Sequence, residues 1–201
     1  MTTKGHVYVI DDDEAMRDSL SYLLDSAGIA VRTYESAVEF LGGIDSVRAG
    51  CIVTDVRMPE MSGLDLVRRL REQGVDLPVI VMTGHADVPL AVEAMKAGAL
   101  EFLEKPFEEA VLLHAIQIAL RGGPPGQDPT EKKRLKVIFE ALSPREQQVL
   151  DGVVAGKLNK VIAFELGISP RTVEVYRANM MAKTGAHGLS ELVQMVMHAR
   201  L

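Results

Sequence analysis

Four short apolar runs in this chain end in residues able to do ionic or group-transfer chemistry. Val7-Tyr8-Val9-Ile10 runs into Asp11-Asp12-Asp13-Glu14, and Cys51-Ile52-Val53-Thr54 runs into Asp55, followed by Val56-Arg57-Met58-Pro59. Pro78-Val79-Ile80-Val81-Met82 ends at Thr83, and Leu100–Leu103 leads to Glu104-Lys105-Pro106. Taken alone, Asp55 reads as a turn or helix-capping carboxylate and Lys105 as a solvated lysine. Together they read differently. Carboxylates crowded into one pocket repel one another, so a divalent cation is what lets them stay ionised. Mg2+ suits such a site, because it takes a few carboxylate oxygens and keeps several waters. A carboxylate is also a competent acceptor for a phosphoryl group. Asp13 and Glu14 are better explained as acids at the start of a helix than as ligands.

The elements that must position these groups follow from periodicity. Strands are expected at 7–10, 30–34, 51–54, 78–83 and 100–103, and helices at 15–27, 37–41, 64–72, 89–97 and 108–121. Five such alternations imply a parallel sheet with helices on both faces, and ligands of such sheets collect at the carboxyl ends of the strands. Asp11, Asp12, Asp55, Thr83 and Lys105 all fall on that edge.

Residues 4–121 therefore resemble the receiver domain of bacterial response regulators, a flavodoxin-like (CheY-like) five-stranded fold. The resemblance implies that Asp11, Asp12, Asp55 and the backbone carbonyl of Arg57 hold Mg2+ and that Asp55 takes a phosphoryl group. It makes Thr83, Phe102 and Lys105 the switch residues. Thr83 moves toward the phosphoryl group, Lys105 pairs with it, and Phe102 swings into the space vacated or else remains a fixed core aromatic. Val92, Lys96 and Glu101 are the expected self-complementary dimerisation contact.

The 201 residues are 47% hydrophobic, enough for one large or two small domains. The single cysteine, Cys51, excludes an intrachain disulfide framework and fits a reducing compartment. The amino terminus has no apolar signal core, and no run of 18 apolar residues occurs, so a soluble cytoplasmic protein is expected. The formal charge of −6 divides unevenly, with −9 on residues 1–121 and +3 on residues 122–201. A mildly basic second half suggests a polyanionic partner.

Three prolines and three glycines in Arg121–Pro129 break the last helix of the first domain, and residues 122–136 read as linker. Residues 137–201 read as all-α, with helix signals at 130–142, 144–155, 159–166, a segment opening at Pro170, and 190–200. Ser143-Pro144-Arg145-Glu146 has the form of a capping box, and Leu166-Gly167-Ile168-Ser169 that of a helix-turn-helix turn. Asn159-Lys160 and Pro170-Arg171-Thr172-Val173-Glu174-Val175-Tyr176-Arg177 closely resemble the LuxR-type four-helix DNA-binding domain, with Leu158 replacing the usual small polar residue. The resemblance makes Asn159, Lys160, Arg171, Thr172, Glu174, Val175, Arg177 and Lys183 DNA-binding candidates. The first four are placed for phosphates, and Arg177 and Glu174 for base edges. Tyr176 reads as a core aromatic with its hydroxyl at the rim, or as a phosphate donor.

Together the two halves resemble two-component response regulators of the FixJ type. That implies phosphorylation by a FixL-like sensor histidine kinase, homodimerisation, promoter binding, contact with RNA polymerase, and activation of nitrogen-fixation or oxygen-responsive genes, with no enzyme activity as its main function. Two other readings stay open on the sequence. One is a haloacid-dehalogenase-like phosphohydrolase with Asp11 as nucleophile. The other is a DNA-binding protein whose receiver is structural and never phosphorylated.

Overall fold

The structure is a computed structural model that describes residues 5–47, 49–84, 88–121, 129–186 and 188–200. The Gly/Pro-rich segment 122–128 lies outside the described residues. The chain divides into two compact units.

The first contains a five-stranded parallel sheet in the order β2-β1-β3-β4-β5. Its strands are β1 (His6–Ile10), β2 (Ala30–Tyr34), β3 (Gly50–Asp55), β4 (Val79–Thr83) and β5 (Glu101–Glu104). They are linked through α1 (Glu14–Ser26), α2 (Ala37–Gly42), α3 (Gly63–Glu72) and α4 (Val88–Ala97), and α5 (Glu109–Leu120) follows β5. The β5 ladder begins at Ile80–Glu101, one residue later than the apolar pattern suggests, because Leu100 spends its N–H on the Val79 carbonyl just before the ladder starts. A 3-10 turn at Ile44–Ser46 had no signal in the sequence; Gly43 accepts from both the backbone and the hydroxyl of Ser46.

Alternation along β1 sends side chains to both faces. Val7 and Val9 join Leu20, Leu24, Leu112 and Ile116 in one core layer. On the opposite side Tyr8 lies 5.8 Å from the Phe40 ring, which meets Tyr34 edge-on at 5.2 Å. The central strands β3 and β4 are buried apart from Gly50 at the start of β3, as a sheet covered on both faces requires.

Sheet order fixes where a ligand can sit. The chain runs outward from β1 to β2 and then back across to β3, so the carboxyl ends of β1 and β3 border a crevice at the point where the winding reverses. The last rung between them is Ile10–Thr54, which places Asp11 and Asp55 side by side at the rim. On the other side Thr83 is paired with Glu104, one residue before Lys105.

Gly63 makes the approach to this rim possible. It starts α3 behind the Ser62 cap, and a Cβ there would overlap the Asp55 carbonyl oxygen and crowd Thr54 Cγ2. The glycine lets the helix start pack directly on the backbone that carries Asp55.

The second unit takes residues 88–95 of α4 together with α6 (Pro129–Glu140), α7 (Pro144–Val154), α8 (Asn159–Leu166), α9 (Pro170–Thr184) and α10 (Leu189–Arg200). Residues 129–136 of the segment read as linker are already helical. Val149, Val153, Ile162, Val173, Met180 and Val196 form its core, and Tyr176 packs against them half-buried, the core reading of that residue. Gly152 lets α7 and α8 close together, since a Cβ there would stand 2.8 Å from Ile162 Cγ1. Ser143 caps α7 in a full capping box with Glu146. The Gly167 C-cap of α8 has φ 64°, in the left-handed region that glycine occupies without strain.

Glu146 does more than cap. The Lys183 ammonium lies 2.7 Å from its Oε2 and ties the last turn of α9 to the start of α7. That hydrogen bond, followed by the Ser143 N–H, holds the buried Glu146 carboxyl below the usual carboxylate range. A depressed folded-state pKa contributes stability above the unfolded value of about 4.3 and loses it as pH falls through the folded value. Wild type should therefore be more stable than Glu146→Gln at neutral pH, with the difference shrinking below about pH 4.3. Thermal melts of both proteins from neutral to acid pH check this, and a gap that does not change with pH would contradict it.

The two glycines give a second expectation. Alanine favours a helix by about 1 kcal/mol over glycine, yet Gly63→Ala and Gly152→Ala should each lower stability by about 1–3 kcal/mol through overpacking. Urea unfolding measures the difference, and a gain in stability for either variant would show that the close approach is not required.

Candidate acidic site and nucleic-acid interface

Asp11 follows β1 directly and is only 1% exposed, while Asp55 closes β3 at 8% and Thr83 closes β4 at 1%. Lys105 reaches the same crevice from just beyond β5, its backbone N–H held by the Thr83 carbonyl at 2.7 Å. Its ammonium bridges the two acids, 2.8 Å from Asp11 Oδ2 and 2.7 Å from Asp55 Oδ1. Burial alone would depress this lysine's pKa, but its hydrogen bonds and ion pairs with Asp11 and Asp55 outweigh that and hold it above the ordinary value.

The other oxygens are also engaged. Asp55 Oδ2 accepts from the Arg57 N–H at 2.6 Å, and Asp11 Oδ1 accepts from the Asp13 N–H at 3.0 Å. Asp13 itself caps α1, accepting from the Ala15 N–H at 2.9 Å, which is the helix-start role. Asp12, Arg57 and Glu14 face solvent. Asp12 is exposed where Asp11 is buried, and among the described residues no three acidic, histidine or cysteine side chains converge as a metal cluster.

The oxygen-only donor set still suits a hard divalent cation. Asp11 and Asp55 share one rim, Asp12 is adjacent in the chain, and Arg57 lies in the loop that follows.

Arg17 carries no sequence signal but is part of this arrangement. From the second turn of α1 it donates to the Asp11 carbonyl at 2.8 Å, fixing the turn on which Asp11 and Asp12 stand. Its only cue is a basic residue six positions after Asp11, too common to single out.

The remaining receiver candidates are dispersed. Phe102 is half-buried on β5, and Lys96 is exposed on α4. Glu101 is half-buried, its Oε1 accepting from the Phe102 N–H at 3.0 Å. Val92, expected in the twofold contact, is buried at 2% exposure. Cys51 is buried in the sheet core, where its thiol is pushed up to about 12, so it carries no reactivity.

In the second unit, α8 and α9 are joined by Gly167, Ile168 and Ser169 in a tight turn. Ser169 caps α9, its hydroxyl oxygen accepting from the Thr172 N–H, and Pro170 occupies the first helical position. Arg171, Glu174 and Val175 are exposed along α9, as is Lys160 on α8. Leu158, in the N-cap position of α8, makes no side-chain cap, a direct consequence of its departure from a small polar residue. Asn159 and Arg177 are joined to each other, Arg177 Nη1 donating to Asn159 Oδ1 at 2.8 Å. Burial holds the Arg177 pKa below the ordinary arginine value, against the raising effect of nearby Glu174. Lys183, also a DNA-binding candidate, is exposed near the end of α9 and pairs with Glu146.

Both units have counterparts among known families. Residues 7–117 match the response regulator receiver domain, and residues 140–196 match the bacterial regulatory proteins of the luxR family. The transcriptional regulatory protein FixJ of Bradyrhizobium diazoefficiens is 52% identical over 99% of this chain and 98% of its own length. FixJ of Azorhizobium caulinodans is 53% identical over 96% and 92%. The crystal structure of full-length FixJ from B. japonicum superposes with a TM-score of 0.59 at 52% identity, covering 99% of this chain and 98% of that one. These relatives are transcriptional regulators, so the phosphohydrolase reading has no support among them. No helix among the described residues is long and apolar enough to cross a membrane. Receiver domains generally bind Mg2+ at their phosphorylation site, and response regulators are phosphorylated by sensor kinases and bind DNA. A carboxylate crevice on a parallel sheet, a helix-turn-helix unit, and two relatives matched at about half identity over nearly their full length lead to one assignment: the chain belongs to the two-component response regulators of the FixJ type, which join a receiver domain to a luxR-family DNA-binding domain and regulate transcription.

Proposed function

We propose that Asp55 accepts a phosphoryl group from a FixL-like sensor histidine kinase and that the phosphorylated protein dimerises, binds promoter DNA and engages RNA polymerase to activate nitrogen-fixation or oxygen-responsive genes. The observation that supports this most is the Lys105 ammonium held between Asp11 and Asp55 at the rim of the sheet. The FixJ relatives support the gene class.

In this reading the Asp55 carboxylate oxygen attacks phosphorus, the kinase histidine leaves with the bonding pair, and a mixed anhydride forms. Lys105 follows the developing charge, and the Thr83 hydroxyl donates to a phosphoryl oxygen. Asp11, Asp12, Asp55 and the Arg57 carbonyl are the groups that would hold Mg2+, which when bound offsets negative charge on the transferring group. Inward movement of Thr83 leaves room for Phe102 to follow, and the surface of α4 and β5 changes with it. On that changed surface Val92, flanked by Lys96 and Glu101, forms the self-complementary twofold contact. On DNA, Lys160, Arg171 and Thr172 meet phosphates while Glu174 and Val175 face base edges. Each phosphate neutralised steepens the fall of affinity with salt.

A gel-shift titration with acetyl phosphate as donor tests the proposal. Wild type should bind promoter DNA at least about tenfold more tightly with acetyl phosphate and Mg2+ than without, a change of about 1.4 kcal/mol. Asp55→Asn and chelator-treated wild type should show no gain; an equal gain in Asp55→Asn would overturn the role of Asp55, and no gain in wild type would favour a structural receiver. In sedimentation, phosphorylated wild type should double its mass, whereas Thr83→Ala should take the phosphoryl group but dimerise poorly. An unchanged monomer mass for wild type removes the dimer from the mechanism, and equal dimerisation of the variant removes Thr83 as its relay.

A further inference from the structure

We infer that Arg177 is a positioning residue for the DNA-binding domain: it orients the Asn159 amide so that its NH2 group faces a DNA phosphate, and it does not itself read a base. Arg177 lies in the middle of α9, where type and spacing alone suggest a guanine reader. The residue is half-buried, with Nη1 donating to Asn159 Oδ1 at 2.8 Å. Asn159 is the first residue of α8, beside the exposed Lys160.

The chemistry of the amide makes this bond directional. A guanidinium only donates, so it must take the amide oxygen, which leaves both Asn159 N–H donors for another partner. A donor pair at the start of α8, next to a lysine, suits a phosphate oxygen and carries no sequence information. The same bond joins the two helices of the motif, so the phosphate contact and the reading helix keep one register. An arginine whose Nη1 is committed in this way reaches the O6 and N7 of a guanine only by leaving Asn159 or by offering its remaining N–H groups. Base reading then falls to residues exposed on α9, Glu174 and Val175 among them.

Binding of the full-length phosphorylated protein is measured on two probes: short duplexes that wild type enriches from a random pool, and mixed-sequence genomic DNA. Arg177→Ala should lose about tenfold on both, and the base preferences it enriches should match those of wild type. Asn159→Ala should lose a similar factor with its salt slope reduced by roughly one, the signature of a lost phosphate contact. The double variant should lose no more than the weaker-binding single variant, because both act through one contact. Asn159→Asp keeps an acceptor for Arg177 but turns an anionic oxygen toward the phosphate, so it should bind more weakly than Asn159→Ala on both probes.

The inference is overturned if Arg177→Ala relaxes preference at particular base pairs while its affinity for mixed DNA is unchanged, since that is how a base reader behaves. Additive losses in the double variant also overturn it, as does wild-type affinity in Asn159→Asp. That last variant keeps the test decisive if Arg177→Ala unfolds.

Discussion

The receiver half depends on one electrostatic constraint: two buried carboxylates, Asp11 and Asp55, share the Lys105 ammonium. Without a cation between them the acids would repel across a low-dielectric crevice, and removing one partner of such a buried set costs about 3–5 kcal/mol. The constraint explains the architecture around it. A parallel sheet is needed because only its carboxyl edge brings ends of β1, β3 and β5 to one place. The winding reversal between β1 and β3 opens the crevice. The Gly63 contact lets the loop after Asp55 fold back tightly, and Arg17 holds the Asp11 backbone from α1. Asp11, Asp55 and Lys105 are each engaged by a neighbour, so a new charge placed on Asp55 must rearrange existing bonds. That property suits a switch better than a passive binding pocket.

The DNA-binding half follows the same logic on helices. Its capping box, the Ser169 cap and the Gly167 turn fix where helices begin and end, while Lys183–Glu146 and Arg177–Asn159 fix how they lie against one another. Several charged side chains that look available for DNA are committed to internal geometry. Among the DNA-binding candidates Lys160, Arg171, Glu174, Val175 and Lys183 are exposed.

Much of this was legible in the sequence because it rests on local chemistry. Apolar runs of strand length, capping residues and glycine stops placed every strand and nearly every helix within a residue or two. The strand-end residues Asp11, Asp55, Thr83 and Lys105 were visible because in a parallel sheet sequence position alone decides which edge a residue occupies. What was not legible depended on pairing between distant segments. Nothing at position 92 distinguishes an exposed apolar contact from a buried one, and Val92 is buried. Nothing near position 177 or 183 shows that the arginine meets Asn159 or that the lysine meets Glu146. Asp12 looked equivalent to Asp11 in composition, but the backbone turn at the end of β1 sends the two side chains to different environments.

The most direct measurement is to locate the phosphoryl group. Treating the protein with acetyl phosphate and Mg2+, reducing with borohydride so that an aspartyl phosphate becomes homoserine, and mapping the product by peptide mass spectrometry reports the modified residue. The account predicts homoserine at position 55 and nowhere else. Modification at Asp11, or a protein left unmodified while a known receiver domain reacts in parallel, would contradict it.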